Sequence, residues 1–339
     1  MPIISIRGNE MPASPIRKLA PLADAAKQRG IHVYHLNIGQ PDLPTPRAAL
    51  DAIRNIDRTV LEYSPSQGYR SYREKLVGYY KKYDINLSAD DIIITTGGSE
   101  AVLFAFLSCL NPGDEIIVPE PAYANYMAFA ISAGAKIRTI ATNIEEGFSL
   151  PKVEKFEELI NDRTRAILIC NPNNPTGQLT SRELLVQILD KCRLVGAHLL
   201  IDECFMDFVS EEKAFSMRDL LATYPELVIL KAFTKTFAMP GIRLGYCLSG
   251  SSELNTALHQ SGQDWNVSIL AQEAGKAALK EHEYLEKSFK LIEQERSYLR
   301  SQLTALGAKV YGSEANYIFF YLPHALVGID GFGGALGYI

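Results

Sequence analysis

The sequence predicts an α/β fold: a three-layer α/β/α large domain on a mostly parallel seven-stranded sheet, with a smaller α+β domain that is incomplete at its C-terminal end. Three observations carry this. Apolar, β-branched runs alternate with segments of helical period over most of the 339 residues. The runs show little polar alternation, as expected of strands covered by helices on both faces. After Gly250 the pattern changes to long, charged, amphipathic stretches.

In chain order the strand runs are 91–96 (DIIITT), 115–119 (EIIVP), 136–140 (KIRTI), 165–170 (RAILIC), 198–202 (HLLID), 227–231 (LVILK) and 244–248 (LGYCL), enough for one sheet. Helical segments fit between them at 99–110, after a Gly-Gly turn, and at 123–133, 152–160, 181–195 and 216–224. Alternation of this kind makes most strands parallel and puts ligands at their carboxyl ends. Helices at 253–280 and 283–306 and a strand at 316–322 complete the pattern. The chain then divides into an N-terminal arm with part of the small domain (1–45), the large domain (46–252), a connecting helix with the small domain (253–322) and an irregular Gly-rich tail (323–339).

Charge and cysteine usage narrow the function classes. With 34 basic and 39 acidic side chains, a net charge of −5 argues against nucleic acid or an anionic membrane as the main partner. Apolar stretches such as 101–110 are about half the roughly 20 residues a bilayer requires. MPIISIRGNE lacks the apolar region of a signal peptide, so a cytoplasmic protein is expected. Five dispersed cysteines without C-x-x-C spacing fit reduced thiols and offer no metal cage.

Chemistry concentrates in five segments at strand ends, in the order TTGGSEA, PEPAYANY, NPNNPTG, DECF and KAFTKTFAMPGIRLG. Gly98 and Ser99 follow a strand and open a helix, which offers free N–H groups, a positive dipole end and a hydroxyl to a dianion. Taken singly, Ser99 reads equally well as a plain helix cap. Asp202 ends HLLID, where an apolar strand delivers a carboxylate that wants a cationic partner, a salt bridge being the bland alternative. Lys235 lies a few residues past a buried strand; its amine can form a Schiff base with an aldehyde, although a lone lysine in a loop is more often a surface residue. Asn174 sits in a turn stiffened by two prolines and a glycine.

The ordered set resembles the fold-type-I pyridoxal-phosphate enzymes, specifically the class I/II aminotransferases, over about residues 30–322. The resemblance implies pyridoxal 5'-phosphate as cofactor, bound in the large domain, with Lys235 as its covalent partner and as the base that moves the proton between Cα and the cofactor. Asp202 would keep the ring nitrogen protonated and Asn174 would donate to the phenolic oxygen. Gly98, Ser99, Thr234 and Arg243 would hold the phosphate. Tyr123 would stack on the ring, unless it is a core tyrosine. Gly39 in NIGQPD would meet the substrate carboxylate, unless it is only a turn glycine. Tyr63 in YSPSQG matches a tyrosine that reaches the phosphate of a neighbouring subunit, which implies a homodimer. Amino acid and 2-oxo acid are the implied substrates.

Residues 1–177 resemble the bacterial aspartate-type aminotransferases, whereas 178–322, with IDECFMDF and EANYIFF, resemble the histidinol-phosphate aminotransferase and threonine-phosphate decarboxylase branch. Two departures from the family pattern stand out. D-E-x-Y is replaced by Asp202, Glu203, Cys204 and Phe205, which removes a phenol donor; by the resemblance, the cofactor's phenolic oxygen would then keep more electron density and would hold the imine proton more tightly. No arginine follows Arg300 to match the family's grip on the substrate carboxylate, so either the chain is truncated, the carboxylate is held otherwise or substrate is bound poorly. An aminotransferase is the expected function. Alternatives are decarboxylation of an O-phospho amino acid and a cofactor-binding protein with impaired catalysis.

Overall fold

The computed structural model describes residues 2–14, 17–36 and 38–322; the expected Gly-rich tail lies outside them. All seven expected runs form strands: β1 (Ile92–Thr95), β2 (Glu115–Glu120), β3 (Lys136–Ala141), β4 (Thr164–Cys170), β5 (His198–Asp202), β6 (Leu227–Ala232) and β7 (Gly245–Ser249). They make one sheet in the order β1-β7-β6-β5-β4-β2-β3. Pairs from β3 through β6 are parallel, and β7 runs antiparallel to both β1 and β6.

Alternate strand residues feed two separate cores, which is the physical content of the three layers. Ile92, Ile94, Ile167, Ile169, Leu199 and Ile201 face one cluster, together with Leu76 and Tyr80 of helix Arg70–Lys81 and Leu185, Ile188 and Leu189 of helix Arg182–Val195. Ile93, Ala166, Leu168 and Leu200 face the other, where they meet helices Gly98–Cys109, Asn125–Ala133 and Ser252–Gln260. Both faces are therefore dry along β1, β2 and β4 to β7, which explains why those strands read as continuous apolar runs, whereas edge strand β3 is largely open to solvent.

Three element assignments need correction. The helix expected at 216–224 is only a 3-10 turn, Arg218–Leu220, after the short helix Glu212–Phe215. Buried Glu203 accepts from Ser216 Oγ and from the Met217 N–H (3.0 Å), so local polar bonds capture this backbone. The helix expected at 253–280 is two helices, Ser252–Gln260 and Ile269–Ala278. Between them Gly262 lies so close to Phe104 that a Cβ would stand 2.5 Å from its ring, and Trp265 takes φ +55°. The strand expected at 316–322 is reduced to Phe320–Tyr321, paired antiparallel with Lys309–Val310. That hairpin and the long helix His282–Ala305 enclose a third small cluster of Ala308, Ile318 and Phe320. Helices Arg47–Arg54 and Arg70–Lys81 are elements that the periodicity did not single out.

Candidate active site

Parallel β4, β5 and β6 end at Cys170, Asp202 and Ala232, so NPNNPTG, DECF and FTKT emerge side by side at one edge of the sheet. Because β7 is reversed, its first residue is at that same edge, which brings Arg243 there too. A cavity of about 330 Å³ opens at this edge. Nine of the ten residues singled out in the sequence line it: Gly39, Gly98, Ser99, Tyr123, Asn174, Asp202, Thr234, Lys235 and Arg243. Tyr63 does not. It is 76% exposed and stacks on Trp265 with ring centroids 4.7 Å apart.

Lys235 lies in the short helix Phe233–Thr236, and its Nζ donates to the Gly39 carbonyl. Burial pushes its amine down to about 8, because the protonated form loses water. Asp202 is buried and accepts from Tyr126 Oη (2.8 Å) and from the Cys204 N–H (3.0 Å). Among the described residues no Lys, Arg or His nitrogen comes within 4.0 Å of this carboxylate. Tyr126 and the thiols of Cys170 and Cys204 are all held well above their usual pKa range by burial first and by the Asp202 charge second. Tyr123, one turn before Tyr126, accepts from Asn125 Nδ2 (2.7 Å) and is raised by burial.

Groups suited to an anion line the same cavity. Helix Gly98–Cys109 begins there, behind Gly97 at φ +85°. A Cβ on Gly97 would sit 2.6 Å from the Arg243 guanidinium, and one on Gly245 would meet the Gly97 backbone at 2.5 Å. Glycine at both positions therefore lets Arg243 close against the helix N-terminus. Arg243 itself takes φ +57°, and its Nη1 donates to the Pro240 carbonyl at 3.0 Å. Guanidinium, helix dipole and the Ser99 and Thr234 hydroxyls make one anion cradle.

The NPNNPTG turn is held from both sides. Asn173 Nδ2 donates to the Pro121 carbonyl (3.2 Å), and its Oδ1 accepts from Thr176 Oγ1 (2.8 Å). From the chain's far end, Tyr317 Oη donates to the Asn173 carbonyl (2.7 Å) and Gln178 Nε2 donates to the Gly312 carbonyl (2.8 Å). Phe205, in place of the expected phenol, packs edge-on against Tyr317 at 5.1 Å.

Sequence reasoning missed Tyr126, Asn316, Tyr317 and Arg296. Asn316 lines both this cavity and an adjoining one of about 610 Å³, and its Oδ1 is buried without a partner. Arg296 lines the adjoining cavity, donates to the Ala315 carbonyl (2.7 Å) and lies 3.6 Å from Glu314. Tyr126 stands three residues after Tyr123 in PAYANY, so helical spacing was its available signal.

A buried carboxylate lacking a counter-cation, an amine with a lowered pKa and an anion cradle, all on one cavity, fit a phosphorylated pyridinium aldehyde. No helix of the described residues is long and apolar enough to cross a membrane, and no group of three or more potential metal ligands occurs among them.

Comparisons with known proteins identify the family. The family model for aminotransferase class I and II matches residues 31–327. Aspartate aminotransferase of Thermotoga maritima is 30% identical over 326 residues, covering 94% of this chain and 85% of that protein; its crystal structure superposes with a TM-score of 0.87. The Pyrococcus horikoshii aspartate aminotransferase is 38% identical over 268 residues, covering 77% of this chain and 66% of that protein. A solved Thermus thermophilus aspartate aminotransferase with maleate gives a TM-score of 0.86 at 28% identity, covering 94% of this chain and 85% of that one. With the model spanning most of its length and such relatives aligned across both halves, the chain belongs to the class I and II aminotransferases.

Proposed function

We propose that this aminotransferase holds pyridoxal 5'-phosphate in the 330 Å³ cavity and uses Lys235 as the base that moves a proton at the substrate Cα. Asp202 supplies the observation that carries the reading: an anion buried at the end of β5 with no basic nitrogen within 4.0 Å among the described residues, on the same cavity as Lys235. When bound, the cofactor supplies an electron sink for the charge that develops at Cα.

The chain's own residues then divide the work. Asp202, kept in place by Tyr126 and the Cys204 N–H, holds a proton on the ring nitrogen by charge. Arg243, Thr234, Ser99 and the Gly98 end of its helix would hold the phosphate, and Tyr123 and Asn174, which line the same cavity, would meet the ring. Lys235 would hold the cofactor through Nζ and, as a neutral amine, would take the Cα proton; a value of about 8 leaves a useful neutral fraction near pH 7. Gly39 leaves room for the substrate carboxylate, and Arg296 offers a guanidinium in the adjoining cavity.

We assign a homodimer as the acting unit, with Tyr63 serving the partner's phosphate. Its exposure, its stacking on Trp265 and its place off its own cavity support this. The described thiols of all five cysteines are free, as the reducing cytoplasm would keep them.

The test is to mix the purified, cofactor-loaded chain with a panel of amino acids, aspartate first because the named relatives are aspartate aminotransferases. The pyridoxal absorbance is followed while 2-oxo acid and CO2 are assayed in parallel. Formation of 2-oxo acid with no CO2, together with loss of turnover in Lys235→Ala, is the expected result; CO2 without 2-oxo acid would mean decarboxylation instead.

A further inference from the structure

Next to the cavity lies a buried ionic cluster that none of the roles above uses. Lys231 and Arg218 are each only 2% exposed. Lys231 Nζ donates to Asp207 Oδ1 at 2.7 Å and to the Glu203 carbonyl at 3.0 Å. Arg218 pairs with Glu203 at 3.0 Å and with Glu212 at 2.8 Å. The remaining oxygen of Asp207, Oδ2, accepts a 2.6 Å hydrogen bond from Thr236 Oγ1.

Sequence neighbours give these bonds their meaning. Thr236 follows Lys235, Glu203 follows Asp202, and Lys231 lies on β6 just before the turn that carries Lys235. One carboxylate therefore ties the turn bearing the amine to the floor of β6, and through Lys231 to the residue after the ring-holding aspartate. A fully satisfied buried network of this kind rigidifies what it connects.

We propose that Asp207 is a positioning residue for the amino-transfer reaction, fixing the Lys235 turn relative to Asp202 through its bonds to Thr236 and Lys231. The proposal rests on Lys235 being the base. A proton can pass only if Nζ stays within hydrogen-bond reach of Cα, and a misplacement near 1 Å costs on the order of a hundredfold in rate. Burial of Nζ also depends on the turn staying docked.

Asp207→Asn strips Lys231 of its counter-charge and threatens the fold, so the decisive variant is Thr236→Val, which leaves the Lys231–Asp207 pair and removes one hydroxyl. In the loaded enzyme its kcat is expected to fall about tenfold to a hundredfold while KM stays within about threefold, and Thr236→Ser is expected to restore kcat. A second readout avoids the cofactor. Acylation of Lys235 against pH is followed by peptide mass spectrometry on the full chain without added cofactor. Its midpoint, about 8 when the turn is docked, should rise toward the ordinary lysine value in Thr236→Val and return in Thr236→Ser. Unchanged kcat with an unchanged midpoint, or a change in KM alone, overturns the tether. Turnover in Lys235→Ala overturns the reading beneath it, a separate result.

Discussion

At the scale of single residues, Lys235 is where chemistry and stability pull apart. Its folded value of about 8 lies below the usual 10.5, so the fold favours the neutral amine. That contribution is complete above 10.5 and is lost as pH falls from there through about 8; at pH 7 the cofactor-free chain carries a buried ammonium. Lys235→Met removes the burden. The variant is expected to be more stable than the parent at pH 7, by up to about 3 kcal/mol, with the gap shrinking by pH 9.5. Urea unfolding at the two pH values checks this, and an equal gap at both would refute it. Most of the individual site residues could be read from the sequence because each stands at a strand end in a short motif whose order is itself informative, as with Asp202 closing HLLID. Tyr126 was harder: its spacing from Tyr123 is helical, but its bond to Asp202 joins residues 76 positions apart, a long-range fact that local spacing does not announce.

Elements were legible to the degree that their environment is uniform. β4, β5 and β6 are buried on both faces and therefore leave unbroken apolar runs. The direction of β7 left no such mark, since LGYCL reads alike either way along the sheet. Segment 216–224 misled for an electrostatic reason. It has helical spacing, but Arg218 turns inward to meet Glu203 and Glu212, and the backbone follows. The same cluster sets a prediction for the elements it joins. Arg218→Ala leaves buried carboxylates without their partner and is expected to cost about 3–5 kcal/mol, read as a lower midpoint of chemical unfolding. A loss below about 1 kcal/mol would show that water or a shifted Glu212 absorbs the charge.

The whole molecule raises the question of how many chains make one site. If Tyr63 serves the partner's cavity, two individually dead variants complement each other: after Lys235→Ala and Tyr63→Ala chains are mixed, unfolded together and refolded, half of the random dimers carry one intact site. Recovery of about a quarter of the parent activity is expected, against the residual level for either variant alone. No recovery, with dimers verified by sedimentation, would confine Tyr63 to its own chain. This scale was legible only through the resemblance carried by YSPSQG, because the stacking of exposed Tyr63 on Trp265 joins distant segments and leaves no periodicity to read.

The reversed strand β7 has a further consequence. Since the chain leaves the cavity edge after Ala232 and is already back at Gly245, Lys235 and Arg243 share one ribbon of about a dozen residues. Asp202, Asn174 and the Gly98 helix each hang from a different crossover. Lengthening that ribbon by a residue would therefore retune both groups together, whereas insertions in the crossovers would shift one wall and spare the rest.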